Sequence, residues 1–298
     1  MGKYDWDNLA QNLQKDALTD GKKTYEVDER FYKLARNEND TGGALVRLLP
    51  DPEGVMFVKM TKISANSGKD KRFCSDWSPT SIGLPDPFNE RWSQEWNAGN
   101  KEEAKRFGRS IRYVSNIKII KDPANPENEG KIFLLDMSKT IFDKVKDAAN
   151  PSPEEIALGA TAKQVYDPVD GNSFLMKVKR GSNNFITYED SKFDEKESSV
   201  YKTEAEFETD ITANGHVLGD FLKPEFFPTY AELEDKLLWY TGDKDEQRAK
   251  ENATPAPSAT PGLVEAKATP TPVKETAPVT APAGGEDELD DFLAELEA

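Results

Sequence analysis

The chain has 298 residues, of which 36% are hydrophobic and 32% charged, with a formal net charge of −16. That length holds one large domain or two small ones, and so high a charged fraction implies a segment too polar to build a core. Its one cysteine, Cys74, excludes an intramolecular disulfide and fits a reducing compartment, and the lack of a charged-then-apolar leader or a long apolar run leads us to expect neither secretion nor a membrane span.

Residues 1–20 place Trp6, Leu9, Leu13 and Leu18 at roughly helical spacing, the pattern of a segment that docks on an apolar surface. Residues 24–58 alternate short β-prone runs with turn clusters at 39–43 and 50–54, which predicts a meander. Residues 64–100 read as an irregular, aromatic insertion containing Phe73, Trp77, Phe88, Trp92 and Trp96. A short charged helix at 101–107 leads into RSIRYVSNIKIIK, whose β-branched and aromatic residues predict a central strand. The Pro/Asn/Gly cluster at 122–130 predicts a turn in which Asp122, Glu127 and Glu129 shape the backbone. A second strand at 131–135 and a short helix at 138–145 follow. Further strands are expected within 164–180 and 184–188, a charged stretch at 191–209, and a helix at 229–240. Residues 241–285 collapse to Pro, Ala, Thr, Glu and Lys, a composition that buries too little to offset chain entropy and predicts a disordered linker. Residues 286–298 carry seven acids around Leu289, Phe292, Leu293 and Leu296.

Charge is unevenly spread. The window 59–121 carries 13 Lys+Arg against 7 Asp+Glu, whereas 151–240 carries 9 against 18 and 241–298 carries 5 against 13. A basic middle with interleaved aromatics suits single-stranded nucleic acid, which is held by cations along its backbone and by rings on which bases stack. Arg109, Arg112 and Tyr113 offer both on one predicted strand. Lys118, Lys121, Lys177, Lys179 and Arg180 fit phosphate contacts or, alternatively, a solvated strand face. No nucleophile–base pair or Gly-rich phosphate loop accompanies the carboxylates, and His216 sits in a predicted loop, so no enzymatic activity is expected.

The run KDPANPENEGKIF followed by a helix with Phe-Asp-Lys resembles the single-stranded DNA-binding, helix-destabilising proteins of T-even-type bacteriophages. GGALVRLLP at 42–50, GNSFLMKVKRGSNNFITYEDSKF at 171–193 and the ending DELDDFLAELEA are similar to further blocks of that family. The resemblance implies an OB-type barrel core with added helices, and DNA contacts from Arg47, Arg109, Tyr113, Phe185 and Tyr188; the basic residues Arg112, Lys118 and Lys179 join them on the reading of the strands above. The alternative reading makes the three rings ordinary core aromatics. It further implies an N-terminal arm at 1–23 for self-association along DNA, although the family's basic arm motif is missing here. A zinc subdomain built from one His and three Cys is also implied at 64–100; with Cys74 alone there, zinc is expected to be absent and no other cofactor is expected.

The sequence therefore reads as a mostly β protein with added helices: arm 1–23, OB-type core 24–240 with the insertion 64–100, disordered linker 241–285 and acidic tail 286–298. The expected function is sequence-tolerant binding and protection of single-stranded DNA during phage replication, recombination and repair, in the cytoplasm of the infected host. The tail, through Leu289, Asp290, Asp291, Phe292, Leu293 and Leu296, is expected to gate DNA access and recruit replication and recombination proteins. The alternative is an interaction scaffold whose core has lost DNA affinity.

Overall fold

The computed structural model describes residues 28–66, 69–181 and 185–244. The arm, the tail and nearly all of the linker lie outside them. Seven strands and six helices are present among the described residues. The strands are β1 (Gly42–Leu49), β2 (Val58–Ile63), β3 (Arg109–Lys121), β4 (Ile132–Met137), β5 (Gly171–Arg180), β6 (Ile186–Thr187) and β7 (Lys192–Ser198). The helices are α1 (Pro87–Asn97), α2 (Lys101–Lys105), α3 (Lys139–Ala149), α4 (Pro153–Ala157), α5 (Glu204–Asn214) and α6 (Tyr230–Thr241). The strands follow the path β2-β3-β1-β5-β6, with β4 on β3 and β7 on β5. No strand pair among the described residues closes this path, so the architecture is a mostly antiparallel sheet with helices rather than a hydrogen-bonded closed barrel. None of the described helices is long and apolar enough to cross a membrane.

Two compact units interleave along the chain: 28–52, 116–136 and 162–216 form one, and 53–115, 137–161 and 217–244 the other. β3 contributes to both, pairing with β2 over Arg109–Val114 and with β1 over Asn116–Lys121. Its residues Val114 to Ile117 are all buried, as in a strand covered on both faces.

In the first unit, Val46, Leu48, Ile117, Ile119, Phe174 and Phe193 form the core, and the Phe174 and Phe193 rings pack 4.8 Å apart. The turn after β3 forms as its sequence dictates. Asp122 accepts hydrogen bonds from the backbone of Ala124 and Asn125 and from the Tyr32 hydroxyl, and Gly130 takes the positive φ that closes the turn.

In the second unit, Ile63, Phe88, Phe107, Leu233 and Tyr240 form the core. α1 falls in the stretch that the sequence reading left irregular. Asp86 caps it by accepting from Phe88 and Asn89 N–H, and Pro87 occupies the first turn, where its missing N–H costs nothing. α6 starts on a capping box between Thr229 and Glu232 and stops at Gly242, whose φ is 86°. α5 lies across the stretch read only as charged; Thr203 caps it, accepting from the Glu206 N–H.

Candidate nucleic-acid interface

Tyr113 is the centre of an aromatic cluster in the second unit. Its ring lies parallel to that of Phe142 on α3, at 3.6 Å between centroids and 5° between planes. Phe57, just before β2, meets both rings edge-on, 5.9 Å from Tyr113 and 4.7 Å from Phe142. The Ser115 hydroxyl donates to the Met56 carbonyl at 2.7 Å, which pins the segment carrying Phe57 to β3. Phe57 is 37% exposed and Met56 51%, so large apolar surface faces solvent here instead of being sealed into the core.

Cations surround these rings. Lys59, exposed on β2, lies directly opposite Tyr113 in the strand ladder and on the same face. On α3, Ile141 and Val145 are buried and turn the helix so that Phe142 sits between Lys139 and Lys146, its neighbours at i−3 and i+4. Both lysines lie 3.5 Å from Asp143, loose surface pairs that hold an ammonium weakly and leave it able to meet a phosphate. Flat rings at the centre and weakly paired ammonium groups at the rim can stack bases and neutralise a backbone together.

The other predicted site residues are placed differently. Arg112 is half-buried and opposes the buried Met60, so the alternation of β3 sends it to the face opposite Tyr113. Arg109 shares Tyr113's face but turns into the insertion, where its guanidinium lies 4.6 Å from the centroid of Trp92. Burial lowers its pKa, the Asp86 carboxylate opposing, and its Nε has no hydrogen-bond partner. It is a packed staple.

In the first unit, Arg47 is fully buried. Its guanidinium donates to the Asp167 carbonyl at 2.6 Å, the Ser198 carbonyl at 2.8 Å and the Ser173 and Ser198 hydroxyls. The expectation that it contacts DNA is corrected: no donor faces solvent. Lys118 is likewise occupied, 2.6 Å from the Asp210 carboxylate and 2.9 Å from the Tyr201 hydroxyl. Lys179, Phe185 and Tyr188 gather around the β5–β6 pairing, with Phe185 73% exposed and Lys179 held 2.9 Å from Asp190.

Phe57, Phe142, Lys59, Lys139 and Lys146 were not singled out by sequence reasoning. The signal was present for Phe142, which stands off the Ile141–Val145 stripe and between two lysines; Phe57 follows a turn and carried none.

A zinc site fits poorly. A tetrahedral site needs about four N or S donors. Cys74 is the chain's only thiol, and the only imidazole, His216, belongs to the first unit, where its backbone is bonded to Asn116. Among the described residues no three His, Cys, Asp or Glu side chains gather in a way that would hold a metal.

The chain resembles known proteins over most of its length. The chain is 27% identical over 233 residues to the single-stranded DNA-binding protein of Enterobacteria phage T4, covering 77% of this chain and 75% of that protein. It is also 27% identical over 238 residues to the single-stranded DNA-binding protein of Enterobacteria phage T2, covering 78% and 77%. The model of the gp32 DNA binding protein like family matches residues 40–241, the span that holds both units' strands, the aromatic cluster and the β5–β6 hairpin. The chain belongs to the gp32-like family of DNA-binding proteins.

Proposed function

We propose that this protein binds single-stranded DNA with little sequence preference, as a binding protein and not an enzyme. The observation that carries the reading is the three-ring cluster of exposed Phe57 and half-buried Tyr113 and Phe142, rimmed by Lys59, Lys139 and Lys146. Every base has a π-face, so such a platform tolerates sequence, and each stacked base contributes about 1–3 kcal/mol. Phe185, Tyr188 and Lys179 make a second contact region in the same reading, supported by their exposed or half-buried setting. Arg112 contributes from its own face of β3. In the same reading the core is of OB type and the protein acts in phage replication, recombination and repair inside the infected host cell.

The terminal segments complete the proposal. The arm at 1–23 mediates self-association along the strand through its apolar stripe. The tail, with seven acids and no base, competes with DNA for the cationic surface and presents Phe292 and its leucines to replication proteins.

The test is binding of an unstructured oligonucleotide across a salt series. The reading predicts that log affinity falls linearly with log salt, with about 0.7 of slope for each phosphate contacted, and that duplex of the same length binds far more weakly. Equal affinity for duplex and single strand, or no binding at low salt, refutes it.

A further inference from the structure

We infer that the insertion at 64–100, together with the short helix that follows it to residue 108, is closed without zinc, by a column of two stacked indoles held between two cations and backed by an apolar plug from α6. The column has four layers. The Arg109 guanidinium lies 4.6 Å from the Trp92 centroid, Trp92 stacks on Trp96 at 5.2 Å and 16°, and the Lys101 ammonium lies 4.9 Å from Trp96. These residues come from β3, α1 and the start of α2, so the column ties those three elements together. A cation over an indole face is attracted by the ring quadrupole, and more strongly when half-desolvated, as Arg109 is.

The plug adjoins the column on the same face of α1, since Phe88, Trp92 and Trp96 recur at i, i+4 and i+8 and Trp92 packs against the plug. Tyr240 packs against both Phe88 and Phe107, at 5.8 Å and 5.7 Å, and its hydroxyl donates to the Asn66 carbonyl at 2.6 Å. Cys74 pairs with Ala65 across a short bridge inside this core, where a thiolate would be expensive. Burial and the adjacent Asp76 carboxylate push its thiol up to about 12, so it stays protonated at neutral pH. Cys74 is therefore a small buried apolar residue, and the opposing Asp76 oxygen receives its S–H at 3.4 Å. The consequence for function is that DNA binding is independent of zinc and of thiol chemistry.

The experiment uses the full chain, prepared with zinc in the medium. Elemental analysis is predicted to find well under one zinc per chain, and a chelator to leave both the melting midpoint and oligonucleotide affinity unchanged. Cys74→Ala retains that affinity. Trp96→Ala speeds amide exchange within 64–108 about tenfold relative to the first unit. Should that variant fail to fold, Lys101→Gln, an exposed change at the end of the column, speeds the same exchange by a few-fold while the fold stays intact. Stoichiometric zinc whose removal lowers the melting midpoint overturns the inference. So does exchange within 64–108 that neither variant alters, since the column would then hold nothing.

Discussion

Arg47 separates what the structure dictates from what family likeness alone suggests. Replacing it by Met keeps an unbranched stem of similar length but removes the donors that reach the Asp167 and Ser198 carbonyls and the Ser173 and Ser198 hydroxyls. Each buried acceptor left without a partner costs about 1–3 kcal/mol. Relief from burying the charge returns part of that, because desolvation is what lowers the Arg47 pKa. The Ser173 and Ser198 hydroxyls can still pair with each other, so the two orphaned carbonyls set a net loss of about 3 kcal/mol. In a folded region of this size, at about 2–4 °C per kcal/mol, the melting midpoint should drop by about 10 °C. Below that midpoint the salt slope of oligonucleotide binding should equal that of the wild type. A phosphate contact behaves oppositely, with little change in stability and a slope reduced by about 0.7. Arg47→Met melting within a degree or two of wild type with a reduced slope refutes the buried assignment.

Acid sensitivity should trace to Asp210. Burial raises its pKa, but hydrogen bonds from Lys118, Tyr201 and Asn214 outweigh that and hold the carboxyl below its ordinary value. A depressed native pKa gives stability that is complete above the unfolded value and is lost as pH falls through the native one. Asp210→Asn should therefore lower the midpoint near neutrality and flatten its fall below about pH 4; an unaltered acid limb contradicts this. Deleting residues 286–298 should raise affinity for oligonucleotide at low salt and have little effect at high salt, where screening already weakens the competing contact. Equal affinities at low salt exclude gating by the tail. Phe185→Ala should leave stability unchanged, because the ring is mostly exposed, and should weaken binding about 5-fold or more; full affinity removes the hairpin from the interface.

Much of the centre of the fold was legible. The β-branched run of β3, the Pro/Asn/Gly turn at 122–130 and the resumption at β4 each follow from local chemistry that tertiary packing did not override. α1 was hidden by its composition. Asp86-Pro87 is a strong start signal, and Phe88, Trp92 and Trp96 recur at i, i+4 and i+8, but so many aromatics in a Pro-containing stretch read as irregular. The burial of Arg47 and the pairing of Lys118 escape the sequence for one shared reason. Both sit on strands with apolar neighbours on either side, and both are half-hidden or hidden by partners from distant sequence: Asp167 and Ser198 for one, Tyr201 and Asp210 for the other. No local pattern carries such partners. Arg112 and Tyr113 illustrate the limit of adjacency, since neighbours on a strand face opposite ways. Within the Tyr113 cluster only the tyrosine stands out in the sequence, whereas Phe57 and Phe142 reach it only through folding.

The central claim is that the Phe57–Tyr113–Phe142 cluster stacks bases while the lysines around it meet phosphates. It is tested most directly by measuring oligonucleotide affinity against salt for Tyr113→Ala, Phe142→Ala and Lys146→Gln, with thermal melts confirming that each variant is folded. Loss of a stacking ring should weaken binding by about 1–3 kcal/mol, roughly 5- to 150-fold, without changing the salt slope. Lys146→Gln should reduce the slope by about 0.7. Folded Tyr113→Ala and Phe142→Ala proteins that bind with wild-type affinity would contradict the account and make the cluster ordinary packing.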